Sequence, residues 1–199
     1  VNRNNNHVVI LVPGLGDNNS FSSIFNWWWK QKGIKLVVFE TNWKSDENYQ
    51  TKLNRLLDLV DKESENNKVS LVGVSAGGSL AINAFSERKN KINKVISICS
   101  RLEKGKINGW RGFEKRTKNY PSFKESVIKT EINEKIFSKE DRQKIMTIHA
   151  LLGDELIPAN TTTINQAKNI IVPISGHMIS IASSMTIFSR LLIKFIAEN

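Results

Sequence analysis

The sequence predicts a three-layer α/β/α sandwich in which a mainly parallel, six-stranded sheet is covered by helices on both faces. Three observations support this prediction. Six short apolar runs rich in Val and Ile alternate with longer amphipathic stretches along the chain. These stretches are long enough for the crossover helices that parallel strands require. The length of 199 residues, of which 40% are hydrophobic and 24% charged, is typical of one domain over 1–199.

The first half of the chain alternates between predicted strands and helices. Residues 7–13 (HVVILVP) are a short β-branched run, which is typical of a buried strand. The apolar residues of 20–32 indicate a helix, and KLVVFE at 35–40 indicates the second strand. Residues 48–65 follow as an amphipathic helix, because their leucines recur at helical spacing.

The second half continues the same alternation. KVSLVGVS at 68–75 predicts the third strand and leads into a helix that ends near residue 88. A long helix with an apolar stripe is expected at 178–198. The three remaining strands are expected at 94–99, 145–152 and 169–174.

One stretch interrupts this rhythm. Residues 101–144 separate the fourth and fifth strands by more than a usual connection. Its first part is basic and aromatic, and 122–144 has a helical pattern. We expect the whole segment to be a lid-like insertion over the carboxyl edge of the sheet, where α/β proteins bind ligands.

The composition excludes several classes of protein. No apolar run approaches the roughly 20 residues of a membrane-spanning helix, so no stable membrane anchor is expected. The single cysteine, Cys99, cannot form an intrachain disulfide, which favours a reducing, cytoplasmic location. The net charge of +10 is spread along the chain without a nucleic-acid-binding motif. Nucleic acid is therefore not an expected partner, whereas peripheral contact with lipid is compatible with the charge.

A G-x-S-x-G motif is the strongest indication of catalytic activity in this sequence. Gly73-Val74-Ser75-Ala76-Gly77 ends the third predicted strand and directly precedes a helix. This is the setting of a nucleophile elbow, a strained turn that exposes a serine hydroxyl above the sheet and needs small neighbours. Ser75 is therefore the candidate nucleophile.

A serine hydroxyl needs a base within hydrogen-bonding reach. The chain has three histidines. His7 opens the first strand, at the opposite end of the sheet, and His149 lies within the fifth strand. His177 follows the last strand, in the loop Ser175-Gly176-His177 at the same carboxyl edge as Ser75, and is the candidate base.

The base needs an acid that orients it. Asp154 follows the fifth strand directly and is the first candidate. Glu155 is its neighbour and rival, and Asp17, in the loop after the first strand, is a weaker one. The order Ser75, Asp154, His177 is the one expected when a central strand carries the nucleophile.

Acyl transfer also needs donors for the developing oxyanion. The backbone N–H of Ala76, after the nucleophile, is one candidate. Leu15, in the Gly-rich loop after the first strand, is the other. A nucleotide site in that loop is not expected, because neither G-x-G-x-x-G nor G-K-[ST] is present.

Taken together, four motifs resemble the α/β-hydrolase superfamily over nearly the whole chain. They are LVPGLGD (11–17), GVSAGGS (73–79), GDELIP (153–158) and SGH (175–177). The resemblance implies a Ser75–His177–Asp154 triad with Leu15 and Ala76 as oxyanion donors. Two features depart from the usual pattern: two initial antiparallel strands are missing, which implies a compact six-stranded form, and Pro13 stands where His is frequent.

Two clusters are candidates for substrate binding. Trp27 and Trp28 lie in a run of three tryptophans. Three consecutive residues of a helix point in directions too far apart for all of them to be buried. Trp110 and Arg111 lie in the basic, aromatic part of the insertion, which as a lid could place Arg101, Arg111 or Arg116 near an anionic group of the substrate or contact phospholipid. Core packing and a solvated loop are the structural alternatives for the two clusters.

The sequence thus predicts a serine hydrolase that cleaves a small-molecule carboxylic ester through an acyl-enzyme, with a thioester or an acyl amide as alternative substrates. No Cys/His cluster has metal-ligand spacing, and this mechanism needs no metal and no cofactor. Two other functions remain open. The fold can serve as a ligand- or partner-binding module with an unused triad, or the same residues can transfer the acyl group to an acceptor other than water.

Overall fold

The computed structural model of the chain describes residues 7–16 and 22–198. Six strands form one sheet in the order β2-β1-β3-β4-β5-β6, and every pair of neighbours is parallel. This confirms the predicted fold class. The strands are β1 (His7–Val12), β2 (Lys35–Val38), β3 (Lys68–Val74), β4 (Ile92–Ile98), β5 (Ile145–Ala150) and β6 (Lys168–Val172).

Helices cover both faces of this sheet. In chain order they are α1 (Ser22–Lys30), α2 (Tyr49–Ser64), α3 (Ala76–Glu87), α4 (Phe113–Thr117), α5 (Pro121–Glu134), α6 (Lys139–Gln143), α7 (His177–Met185) and α8 (Ser189–Ala197). The alternation of side chains along β1 divides the core into two layers. Val8, Ile10 and Val12 pack with α2, α3 and α5, whereas Val9 and Leu11 pack with α1, α7 and α8.

The closing helix differs from the prediction. Instead of one helix over 178–198, α7 and α8 meet at a bend of 56°. The tryptophans of α1 hold this break, because the indole N–H of Trp29 donates to the carbonyl of Met185 (2.8 Å) and that of Trp28 to Ser189 Oγ (2.9 Å). In the described part of the chain no single helix has the length and hydropathy of a membrane span; only the bent α7–α8 pair meets both criteria together.

The segment 101–144 has two different parts. Its helix α5 packs against α3 through a buried polar cluster, in which Ser79 Oγ lies 2.8 Å from Ser126 Oγ and Asn83 Nδ2 donates to the Ser126 carbonyl (2.9 Å). The part before α5 instead crosses the carboxyl edge of the sheet, where Arg111 reaches the turn after β5. Of the insertion predicted over 101–144, the part before α5 therefore lies at the carboxyl edge and α5 packs on α3; a role as a lid stays a prediction.

Candidate active site

Ser75 lies between β3 and α3 with φ 53° and ψ −122°, a strained conformation for a residue with a side chain. Its N–H donates to the carbonyl of Ile98 (2.9 Å), which ties the turn to β4. The turn leaves no space for a side chain at the neighbouring glycines. A Cβ at Gly77 would overlap the carbonyl oxygen of Val12, and one at Gly14 would lie 2.7 Å from Ser75 Cβ.

His177 is the first residue of α7, one position after Gly176, rather than part of a loop. Its Nε2 lies 2.9 Å from Ser75 Oγ. The side chain is 2% exposed, so it has little freedom to leave this position. The other two histidines lie elsewhere: His7 Nε2 contacts Ser70 Oγ (2.9 Å) at the opposite end of the sheet, and His149 stays within β5.

Asp154 completes a line of hydrogen bonds. Its Oδ2 lies 2.7 Å from His177 Nδ1, and its Oδ1 accepts from the N–H groups of Leu156 (2.8 Å) and Ile157 (2.9 Å). Burial raises the pKa of Asp154. The hydrogen bond and charge of His177, with the two N–H donors, lower it by more, so the pKa lies below its ordinary value. The carboxylate is therefore ionised and fixed at both oxygens.

The two rival acids are placed differently. Glu155 Oε2 accepts from the backbone N–H of His177 (2.9 Å) and does not bond to the imidazole ring. It fixes the start of α7, where a carboxylate is favourable. Asp17 lies outside the described residues. Among the three acids considered, Asp154 is the one that the structure places against the ring of His177.

The two predicted oxyanion donors lie beside the nucleophile. Leu15 and Ala76 line one small cavity together with Ser75. In the described part of the chain, neither backbone N–H donates to a backbone acceptor. The loop that carries Leu15 is held by Trp43, whose indole N–H donates to the carbonyl of Pro13 (2.9 Å).

The larger cavity above the sheet has a volume of about 230 Å³. Among the described residues that line it, the polar side chains are those of Ser75, His177 and Arg116. The remaining wall is largely aliphatic and aromatic, with Leu11, Phe25, Val38, Val74, Leu156, Met178, Ile181 and Ala182. The site thus offers an apolar space directly beside the Ser75 hydroxyl.

A smaller cavity of about 30 Å³ adjoins the same serine. Arg101 and Arg116 contribute its two charged side chains. Arg101 is 2% exposed, and its Nη atoms donate to the carbonyls of Lys104 (3.1 Å) and Arg111 (2.6 Å). Burial, followed by the charges of Arg116 and Arg111, lowers the pKa of Arg101 to about 10, so this guanidinium stays charged at neutral pH.

Arg111 links the insertion to the acid turn. Its Nη2 donates to the carbonyls of Asp154 (2.6 Å) and Ile157 (3.2 Å). Because Arg101 in turn holds the carbonyl of Arg111, two arginines connect the end of β4 to the backbone of Asp154. We refer to Arg101 and Arg111 with these carbonyl contacts as the arginine relay.

The predicted substrate-binding residues do not line either cavity among the described residues. Trp27 is 60% exposed and Trp28 half-buried, while Trp29 is fully buried. Trp110 is exposed, and Arg111 belongs to the relay.

The sequence identifies Arg116 only together with Arg101 and Arg111, as arginines that the insertion could place near an anionic group of the substrate. Of these three, Arg116 is the one that lines both cavities. Several apolar residues of the larger cavity, among them Val38, Met178 and Ile181, were not identified as site residues from the sequence.

The chain was compared with known proteins by sequence and by structure. No protein-family model and no curated protein sequence matches it. The Paleococcus ferrophilus monoacylglycerol lipase matches in structure with TM-score 0.66 and 15% identity, over 95% of this chain and 93% of that one. The B. subtilis ydeN gene product has TM-score 0.66 and 11% identity, over 97% and 100%.

A third solved structure comes from work on two metagenome-derived lipolytic enzymes, LipS and LipT. It matches with TM-score 0.68 and 11% identity, over 97% of this chain and 94% of that one. Identities this low carry information about the fold alone. Each match nevertheless covers nearly the whole length of both chains. Together with the six-stranded parallel sheet, they show that this chain has the α/β-hydrolase fold.

Proposed function

We propose that this protein is a serine hydrolase that cleaves a carboxylic ester through Ser75, His177 and Asp154. The observation that carries the proposal is the continuous hydrogen-bonded line from Ser75 Oγ through both ring nitrogens of His177 to Asp154, with distances of 2.9 and 2.7 Å. His177 and Asp154 are buried, and the line borders an apolar cavity and starts from a partly buried, strained serine. Such a nucleophile, base and orienting acid are the parts that acyl transfer needs.

In the proposed mechanism, Ser75 Oγ attacks the carbonyl carbon of the ester while His177 Nε2 accepts the hydroxyl proton. Asp154 Oδ2 accepts a hydrogen bond from Nδ1–H, which keeps Nε2 basic and stabilises the imidazolium. The N–H groups of Leu15 and Ala76 donate to the oxyanion. His177 then protonates the leaving alcohol, and the acyl-enzyme remains.

The second half of the cycle repeats these roles with water. His177 Nε2 takes a proton from the water, whose oxygen attacks the acyl carbon. As the intermediate collapses, the bond between the acyl carbon and Ser75 Oγ breaks and the His177 imidazolium protonates Ser75 Oγ. The products are a carboxylic acid and the free enzyme. Because the same acyl-enzyme can react with an amine or a second alcohol, adding such acceptors to the assay separates hydrolysis from acyl transfer.

The larger cavity indicates which part of the substrate is apolar. Its volume of about 230 Å³ and its aliphatic wall suit a short acyl or alkyl group and exclude a bulky polar one. The structural neighbours include a monoacylglycerol lipase and lipolytic enzymes, which supports an ester as the bond that is cleaved.

Turnover of p-nitrophenyl esters of increasing acyl length tests this proposal. We expect the wild type to hydrolyse the short esters and Ser75→Ala to lose activity by a factor on the order of 10⁵ to 10⁶. Ser64→Ala, which removes a hydroxyl at the end of α2, is the matched control and should keep full activity. Equal activity in Ser75→Ala, or a Ser75 that does not react with a fluorophosphonate, would overturn the proposal.

A further inference from the structure

We propose that the small cavity beside Ser75 is an anion subsite formed by Arg101 and Arg116, and that the preferred substrate is an ester carrying a carboxylate close to the scissile carbonyl. The inference rests on the proposed hydrolase function and names the substrate class of that site. It assigns the apolar part of the substrate to the larger cavity and the anionic part to the smaller one.

Arg101 supplies the first argument. A buried charge is costly unless a counter-charge compensates it. Arg101 is 2% exposed, yet among the described residues its hydrogen bonds go only to the neutral carbonyls of Lys104 and Arg111. The charged groups that act on it are the cations Arg111 and Arg116. Within 7–16 and 22–198, no carboxylate forms an ion pair with it, so the site lacks an anion.

Arg116 supplies the second argument. It lines both cavities, so its side chain lies where they meet beside the nucleophile. Its guanidinium forms neither a hydrogen bond nor an ion pair with the described residues. An arginine with available donors can bind a carboxylate through two parallel hydrogen bonds. Holding the insertion in place explains the contacts of Arg101 but does not explain this position of Arg116.

The position of the small cavity defines where the anion sits. Ser75, Ala76 and Leu15 belong to its lining, so a group bound there is next to the carbonyl that Ser75 would attack. Its volume of about 30 Å³ exceeds the roughly 10–15 Å³ needed for one water molecule, which leaves space for a carboxylate but not for an acyl chain. The net charge of +10 would also attract anionic substrates over longer distances.

Three esters of similar size test the proposal. The acid that each reaction releases is measured by titration with base at constant pH. Ethyl butyrate is the neutral reference. Monoethyl succinate replaces the terminal methyl of the acyl part by a carboxylate, and O-butyrylglycolate does the same in the alcohol part. We expect kcat/KM for one of the two anionic esters to exceed that for ethyl butyrate about tenfold or more, as for a charge-assisted hydrogen bond. The preferred ester identifies the side of the substrate that faces the arginines.

Variants then assign the preference to the site. Arg116→Gln should lower the ratio of anionic to neutral kcat/KM about tenfold, and Arg190→Gln, an exposed arginine of α8, should leave the ratio unchanged. In the wild type, the ratio should also fall as the salt concentration rises, a measurement that needs no variant.

Two results would overturn the proposal. One is a wild type whose kcat/KM for neither anionic ester exceeds that for ethyl butyrate, and the other is an Arg116→Gln variant that keeps the wild-type ratio. A different result would overturn the proposed hydrolase function together with the anion subsite. That result is no turnover of any ester and no reaction of Ser75 with a fluorophosphonate. Serine-dependent turnover of ethyl butyrate without a charge preference would overturn the subsite alone.

Discussion

At the scale of single residues, the site depends on which of two adjacent carboxylates meets the imidazole. Asp154 contacts Nδ1 of His177, and Glu155 contacts the backbone N–H of the same residue. The two side chains therefore perform different tasks although they are neighbours in sequence. Asp154 contacts the imidazole ring, whereas Glu155 holds the first turn of α7.

Asp154→Asn tests this division. We expect kcat to fall by about 10³ to 10⁴, because an amide can donate to Nδ1 and thereby stabilise the wrong tautomer of His177. Glu155→Gln keeps an acceptor for the backbone N–H and should cost less than about tenfold. Steady-state kinetics of both variants on the same ester is the measurement. The opposite order of effects would identify Glu155 as the orienting acid.

Close approach at the elbow gives a second residue-scale prediction. Gly77→Ala should lower the free energy of unfolding by about 2 kcal/mol or more, because its Cβ would overlap the Val12 carbonyl. Gly16→Ala is the control, since a Cβ at Gly16 meets no atom of the described residues within 4 Å. Thermal unfolding measures both. For a chain of this length 1 kcal/mol corresponds to about 2–4 °C in Tm, so a shift below 2 °C in Gly77→Ala contradicts the expected overlap.

The candidate site was predictable from the sequence where a motif fixes both residue and position. The elbow places Ser75 by local geometry, and the ends of β5 and β6 place Asp154 and His177 at the same edge. The role of Arg116 was not predictable in this way. Its position depends on how the insertion folds back across the sheet, and no local spacing encodes that path.

At the scale of elements, the insertion reaches the turn that carries Asp154 through the arginine relay. Arg111 bonds to the carbonyls of Asp154 and Ile157, so the turn after β5 is held from outside the sheet. The relay differs from the proposed anion subsite in one respect. It acts on the position of the acid, whatever charge the substrate carries.

Arg111→Lys tests the relay. A lysine ammonium cannot reproduce the planar donors of arginine, and we expect kcat to fall about tenfold through misplacement of the acid. The loss should be the same for ethyl butyrate and for the anionic esters. Kinetics on both substrate types is the measurement, and a loss confined to the anionic esters would move Arg111 into the anion subsite.

The helical elements also show the limit of sequence patterns. The apolar stripe of 178–198 is continuous, and it therefore predicts one helix. The break between α7 and α8 depends on indole donors from Trp28 and Trp29, which lie 161 and 156 positions from their acceptors. The hydrophobic pattern of one segment cannot predict a hydrogen bond from residues so distant in the sequence. In contrast, the six strands were predictable, because each short β-branched run is bounded by its own turn residues.

At the scale of the whole molecule, several aspartates are held by cations. The hydrogen bonds from Arg88 and then Lys91 lower the pKa of Asp61, which joins α2 to the turn before β4. A hydrogen bond from Lys89 contributes to the lowered pKa of Asp141, although burial alone would raise it. A carboxyl with a lower pKa in the folded state binds protons more readily when the chain is unfolded.

The sign of the pH dependence follows from these shifts. The stabilisation is present above the pKa of an unfolded aspartate, about 3.9, and is lost as the pH falls through the lower pKa of the folded state. We therefore expect Tm to decrease steadily below about pH 4. Asp61→Asn should flatten this decrease, whereas Asp46→Asn, at an exposed position, should not. A Tm that is constant from pH 5 to pH 2 would contradict the assignment.

The only thiol of the chain offers a practical advantage. Cys99 is fully buried, and burial, followed by the charges of Asp154 and Glu155, raises the pKa of its thiol to about 12. Maleimide dyes, which react with accessible thiolates, should therefore leave the native protein unlabelled. A single cysteine introduced at the exposed Met178, on the wall of the larger cavity, would carry a fluorophore without background. Entry of a substrate could then be followed by fluorescence in real time, ester by ester.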